Sequence, residues 1–266
     1  MAVLQEGVAP LILWILCGFL SYGAVPGLLP ILRQQRKTNY LGEEIPTSLG
    51  YAFVIPAALV MVARSNGEEY ALFFALTLIF FTLFGAIDDM YGDVSSKGFR
   101  GHLRGPHLST GALKAWGGVA AALAITWPLS SNWLELITNG LVISLLANLL
   151  NLLDLRPGRA GKAFLLLALP LFLLKPQVLG PLFGLFWAVG GYLPWDLKRV
   201  VMMGDVGSNP LGAALGLGCV IGFSSLGFRI VLALILLALN MLSERFSFSR
   251  IIESNRFFRF LDQLGR

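Results

Sequence analysis

The sequence predicts an all-α integral membrane protein, a bundle of about nine transmembrane helices with the N-terminus outside and an amphipathic helix at a cytoplasmic C-terminus. Three observations predict it. Only 13% of the 266 residues are charged and 56% are hydrophobic, whereas soluble domains are about a quarter charged. Apolar stretches of membrane-spanning length recur along the chain, separated by short polar connections. Lysine and arginine gather on alternate connections, the pattern of the positive-inside rule.

The spans fall near 9–32, 48–64, 69–87, 111–130, 133–153, 162–174, 177–194, 207–222 and 226–242. The sixth is short and precedes Lys175-Pro176, so pairing with the seventh as a re-entrant unit is open. Packed together, the spans make one membrane domain over 1–242, followed by an interfacial segment over 243–266. Counted from an outside start, fifteen of the twenty cations lie on inner connections: Arg33, Arg36 and Lys37; Lys97, Arg100 and Arg104; Arg156 and Arg159; Lys198 and Arg199; then Arg245, Arg250, Arg256, Arg259 and Arg266. Lys114 and Lys162 sit at inner span ends, and only Arg64, Lys175 and Arg229 fall outside. A multi-pass protein of the cell (inner or plasma) membrane follows. Met1 to Pro10 has an acid and no cation, so no cleavable signal is expected. Cys17 and Cys219 lie in apolar spans and read as small core residues. Basic inner loops beside anionic lipid account for the net charge of +5, and no nucleic acid is required.

Carboxylates at hydrocarbon depth are costly and usually mark a pathway or a site. Asp88, Asp89, Asp154 and Asp205 sit at span ends, and the topology drawn from the cations puts all four on the inner side. In "FGAIDDMYGD" (84–93), Asp88 and Asp89 end the third span. Adjacent helical residues point about 100° apart, so one can face a metal while the other orients a base or a phosphate-binding lysine. The plainer alternative is a solvated helix end, although acids there oppose the macrodipole.

In "NLLNLLDLRPGRAG" (148–161), Asn148, Asn151 and Asp154 recur every three residues and would present amides and a carboxylate to one polar cavity. Interhelical bonding is the alternative for the asparagines. Arg156 and Arg159 follow as candidate phosphate contacts. In "MMGDVGSNPLGAALG" (202–216), Asp205 or Ser208 is a candidate N-cap, and the same helix start suits a phosphate. Arg33, Arg36 and Lys37 read first as topology signals. His102 and His107, five apart without a third ligand, read as loop residues or phosphate contacts. Carboxylates, amides and cations at one face suit a divalent cation with phosphate groups. A monovalent-ion transporter would place such groups near the midplane.

These motifs resemble those of the polyprenyl-phosphate N-acetylhexosamine-1-phosphate transferases, which include the phospho-MurNAc-pentapeptide translocase and the GlcNAc-1-phosphate transferases (glycosyltransferase family 4 type). "GAIDDMYGD" is similar to the family's paired-aspartate motif and "NLLNLLD" to its Asn-x-x-Asn-x-x-Asp motif. "MGDVGSNPLG" is similar to its Gly-Asp-x-Gly-Ser motif, and "IPTSLG" to the Pro-Thr-x-Gly-Gly after the first span. The resemblance runs from about residue 33 to 216 and marks a divergent, short member. It implies transfer of a sugar-1-phosphate from a UDP-sugar to polyprenyl (undecaprenyl) phosphate, with Mg²⁺, releasing UMP at the cytoplasmic face for cell-envelope polymer synthesis. It further implies Asp154 as the main Mg²⁺ ligand, with Asp89 beside it. Asp88 and Asp89 would assist the acceptor's attack or hold lysines, and Asn148 and Asn151 would support the site. Asp205 and Ser208 would lie near the nucleotide, and Lys37 and Lys114 would contact phosphate.

The chain departs from the family after Asp154, where "DLRPGRAG" replaces an Asp-Gly-Leu-Asp-Gly-type run, and it has no histidine after His107. Those departures motivate an alternative: a catalytically reduced relative that binds lipid phosphate or nucleotide-sugar, or a partner subunit. The oligomeric state is open, a homodimer included. After the last span, Phe248, Ile251, Ile252, Phe258, Leu261 and Leu264 follow helical spacing with Arg250, Arg256 and Arg259 among them. This predicts one basic amphipathic helix on the inner leaflet.

Overall fold

Residues 8–92, 110–175 and 179–266 are described by the computed structural model of the chain. Glu6, Asp93, Lys97, Arg100, His102, Arg104 and His107 lie outside them. Among the described residues, nine helices follow one another: α1 (Val8–Leu28), α2 (Tyr51–Arg64), α3 (Ala71–Tyr91), α4 (Thr110–Thr126), α5 (Trp133–Leu153), α6 (Arg159–Leu174), α7 (Leu179–Leu197), α8 (Asp205–Gly222) and α9 (Leu226–Ser243). Four are long and apolar enough to cross a membrane: α1 over Leu11–Leu28, α3, α5 and α9. Large apolar side chains such as Leu59, Leu83, Leu173 and Leu234 face outward. In water such a surface would aggregate, so the chain is a membrane protein built from helices.

These helices fall in the same order as the apolar stretches of the sequence, four of them with the length and apolarity of a span, and two ends are shifted. α3 runs on to Tyr91, so Asp88 and Asp89 lie within its last turn rather than ending it. α2 begins only at Tyr51, because Ser48 takes a left-handed φ of 65° that no helix accommodates.

α8 is the axis of the bundle. Its residues are buried without a break from Val206 to Gly218, and it packs mainly against α5 and α3. The small residues of "GAALGLG" make this possible. A Cβ at Gly216 would lie 2.6 Å from the Ile143 Cα, and one at Gly212 an equal 2.6 Å from the Ala147 Cα, so only glycine lets the two backbones meet. α1 packs against α7 and α2 on the other side.

α5 separates two polar regions by its length, about 30 Å for 21 residues. At its start, Glu135 and Asn139 accept from the buried Arg229 of α9, both at 2.6 Å. At its end lies Asp154.

Two elements depart from the helical expectation. The first connection folds into a hairpin, β1 (Arg36–Thr38) against β2 (Glu44–Pro46), with Lys37 opposite Ile45. Asn39 closes its turn by accepting from the backbone N–H groups of Leu41 and Glu43. The C-terminal segment forms two short helices, α10 (Phe248–Ser254) and α11 (Arg256–Gln263), instead of one. Asn255 is the reason: its side chain accepts from the N–H groups of Phe257 and Phe258 and starts a new helix.

Candidate functional site

The site is assembled where two distant loops share backbone hydrogen bonds. The Leu49 and Gly50 N–H groups donate to the Met202 and Met203 carbonyls (3.1 and 3.0 Å), and the Met202 N–H donates to the Pro46 carbonyl (2.9 Å). The hairpin and the start of α8 are thereby fixed beside the last turn of α3.

Asp89 is the joint. Its side chain is fully buried. Lys37 Nζ contacts Oδ1 at 2.7 Å, while Ser48 Oγ and the Val206 N–H donate to Oδ2 at 3.0 and 3.2 Å. Gly204 permits this approach: it has a φ of 68°, and a Cβ there would sit 2.5 Å from Asp89 Oδ2. Burial acts to lower the Lys37 pKa, but Asp89, Asp205 and Asp88 outweigh it and raise the pKa above its ordinary value. Lys37 is therefore a firmly charged ammonium held at the site.

Lys114 is clamped in parallel. It pairs closely with Asp205 and lies 3.5 Å from Asp88 Oδ2. With its amide oriented to satisfy its neighbours, Asn151 donates to Asp205 Oδ1 (3.0 Å) and Ser208 Oγ (2.9 Å) and accepts from Lys114 Nζ (2.9 Å). Ser208 Oγ donates to the Gly204 carbonyl (3.1 Å). The N-cap of α8 is Gly204, not Asp205 or Ser208; Asp205 sits in the first turn, where its charge suits the macrodipole.

Asp154 is the exception in this tightly bonded set. It caps the C-terminus of α5, and among the described residues its carboxylate makes no hydrogen bond or ion pair. It borders a cavity of about 370 Å³, together with Asp196, Tyr40, Arg156, Arg199 and Ser249. Burial first, and then the charges of Asp196, Asp205 and Asp89, push its pKa well above the usual carboxylate range. Lys37 opposes these effects only in part.

Several expected contacts are arranged differently. Asn148 does not share the cavity: its amide donates to Asn240 Oδ1 at 2.6 Å and ties α5 to α9. Three-residue steps fall 60° short of a full turn, so Asn148 has rotated away from the face of Asn151. Asn148→Leu is expected to cost about 0.6–1.7 kcal/mol of stability, as membrane interhelical bonds do, read as a lower melting temperature in detergent. Arg159 is buried and does not face a phosphate either; its guanidinium makes a two-pronged bond to Asp262 (2.7 and 3.1 Å) and another to Ser249. Arg156 lies at the cavity, over the Tyr40 ring (4.1 Å to its centroid) and 2.7 Å from Glu253. Asp89 has both oxygens engaged, which fits it to hold Lys37 and α8 rather than to serve as an open metal ligand.

The residues fit a divalent cation in a particular way. Among the described residues, no three of His, Cys, Asp and Glu form a group able to hold a metal ion. Mg²⁺, however, is usually held by one or two carboxylates plus phosphate oxygens and water. An unbonded, half-buried carboxylate that borders a cavity, with the clamped Lys37 within electrostatic reach, suits such a role.

Sequence reasoning passed over Ser48, Tyr40, Asp196 and Ser249. Asp196 carried a readable signal, since "YLPWD" places a lone acid just past an apolar span. Ser48 carried none, because its role arises from backbone geometry. No protein-family model matches this chain, and comparison with curated proteins gives no match.

Proposed function

We propose that this protein is a membrane phospho-sugar transferase that moves a sugar-1-phosphate from a UDP-sugar to polyprenyl phosphate, releasing UMP. The reading takes all nine long helices as spans, with the N-terminus outside and the polar cluster at the cytoplasmic face of the cell membrane. The observation that carries it is the meeting, at one end of the bundle, of two carboxylate-clamped lysines and one half-buried carboxylate that, among the described residues, has no hydrogen-bond or ion-pair partner.

In this reading an oxygen of the acceptor phosphate attacks the β-phosphorus of the UDP-sugar. The bond from that phosphorus to the bridging oxygen breaks, and UMP leaves. Mg²⁺, when bound, would neutralise the diphosphate, with Asp154 as its protein ligand. Lys37 and Lys114 supply positive charge to the phosphate oxygens. Asp89, Asp88 and Asp205 fix where those ammonium groups stand, and Asn151, itself bonded to Ser208, holds Asp205 in place. Catalysis of this kind rests on position and charge rather than on a protein nucleophile.

The test incubates the full-length purified chain with a panel of UDP-sugars, undecaprenyl phosphate and Mg²⁺, and follows UMP. Mg²⁺-dependent and acceptor-dependent release is the expected result. Saturable binding of UDP-sugar or lipid phosphate with no UMP from any donor would replace the transferase by the binding-protein reading.

A further inference from the structure

The C-terminal helices dock against the bundle with their polarity reversed. α11 is held through an acid: Asp262, 8% exposed, takes the buried Arg159 of α6 in a two-pronged bond. Phe257 and Phe260 lie on the opposite side of the helix, about 170° from Asp262 at 3.6 residues per turn, and stand 65% and 62% exposed. A surface helix of a protein in water turns its apolar side to the core; α11 turns its polar side there instead. The outward apolar surface is continuous with that of α9, which is long and apolar enough to cross a membrane. Met241 and Leu242 are exposed at the end of α9, and Phe246 and Ile251 carry the surface on to α11. Charge is sorted in the same sense. Glu253 and Asp262 are engaged by Arg156 and Arg159 of the bundle. Arg245, Arg250, Arg256 and Arg259 are left exposed, with no side-chain ion pair among the described residues.

We propose that this outward face is a docking surface for anionic phospholipid, with the phenylalanines among the acyl chains and the arginines on the headgroup phosphates. Aromatic side chains flanked by arginines are the chemistry of a helix that lies in a membrane interface. Each arginine near an anionic lipid surface favours that contact about fivefold. A second copy of the chain meeting this face about a two-fold axis would bring its own arginines against these, and like-charge repulsion opposes that. The inference goes beyond the transferase reading and does not depend on it. It also gives lipid a hold on the cavity. Ser249 of α10 borders the cavity, and Glu253 pairs with Arg156 at its edge, so lipid bound to the outer face steadies one wall.

The test places photoreactive p-benzoylphenylalanine at position 260 of the full-length chain. The protein is reconstituted in nanodiscs of phosphatidylcholine mixed with phosphatidylglycerol, and the cross-linked partner is identified by mass. Phosphatidylglycerol adducts are expected about fivefold or more above that lipid's share of the bilayer. Raised salt should remove the enrichment by screening the charges. The combined substitution Arg245→Gln, Arg250→Gln, Arg256→Gln and Arg259→Gln should remove it too, at an unchanged melting temperature. If that variant does not fold, the salt series alone decides. Adducts in proportion to the bilayer's composition, or enrichment that persists in high salt, would overturn the proposal. So would cross-links to a second copy of the chain, or the absence of lipid adducts from position 260 and, in a parallel preparation, from position 257. UMP release is read in none of these arms, so each outcome leaves the transferase reading where it stood.

Discussion

Asp154→Asn is expected to cut UMP release by about 10²–10³-fold or more, the size typical of losing a preorganised charge at a reacting phosphate, and at the same time to stabilise the chain at neutral pH. The second effect separates a functional acid from a structural one. Burial and the nearby charges of Asp196, Asp205 and Asp89 raise the Asp154 pKa well above its usual 3.8 in the folded state. Between that ordinary value and the raised one, the folded chain keeps a proton that the unfolded chain has released. Stability therefore declines as pH rises through this window, and the full cost stands above it. Asparagine does not titrate, so the melting temperatures of the two proteins should converge near pH 4 and separate towards neutral pH, the variant melting higher. Mg²⁺ should raise the melting temperature of the unaltered chain and leave Asp154→Asn unmoved. A variant that melts lower at neutral pH would show instead that the carboxylate holds the fold.

Arg159→Ala is expected to release the C-terminal helices. Arg159 and Asp262 are both nearly inaccessible, and removing one partner of such a pair costs about 3–5 kcal/mol because the other charge is left buried. The rest of the dock is weaker: Lys162 donates to the carbonyls of Leu261, Asp262 and Leu264 at the end of α11, and Arg266 pairs with Asp262. Limited trypsin digestion should cut the variant within 245–259 under conditions that spare the unaltered chain. Arg159→Lys should not restore protection, since an ammonium cannot reproduce the planar two-pronged bond. The pH dependence has the opposite sign to that of Asp154. Burial acts to raise the Asp262 pKa, but Arg159 and Arg266 outweigh it and hold it below the usual carboxylate range. The docking this supplies is present above the ordinary carboxylate pKa and lost as pH falls through the lowered one. Protection against an acid-active protease should therefore disappear only in strong acid.

The helices were legible because hydropathy at membrane length is a coarse signal, insensitive to detail. The order of α1 to α9 follows from it, as does the separation of Arg229 and Asp154 to opposite ends of α5. What the sequence did not disclose depends on geometry. The hairpin was visible only as Asn39 and Gly42 in "TNYLG", turn residues between strands of three residues, too short for alternation to show. Asn148 and Asn151 look equivalent in "NLLNLLD", and only the 60° lag per step assigns one to α9 and the other to Asp205. Arg156 and Arg159 read as anion contacts for want of knowledge that Asp262, over a hundred residues away, returns to meet one of them. Asp196 was within reach of the same reasoning as the other span-end acids, two residues beyond the seventh apolar stretch.

The backbone bonds between residues 46–50 and 202–203 have a consequence for synthesis. The ribosome delivers Lys37, Ser48 and Asp89 early, whereas the Val206 N–H and Asp205 come more than a hundred residues later. A nascent chain that has emerged only through α7 holds Asp89 and Lys114 without the groups that complete their bonding. The polar cluster closes when α8 enters the bundle, so the last quarter of the chain acts as the clasp that joins groups laid down along the first three-quarters.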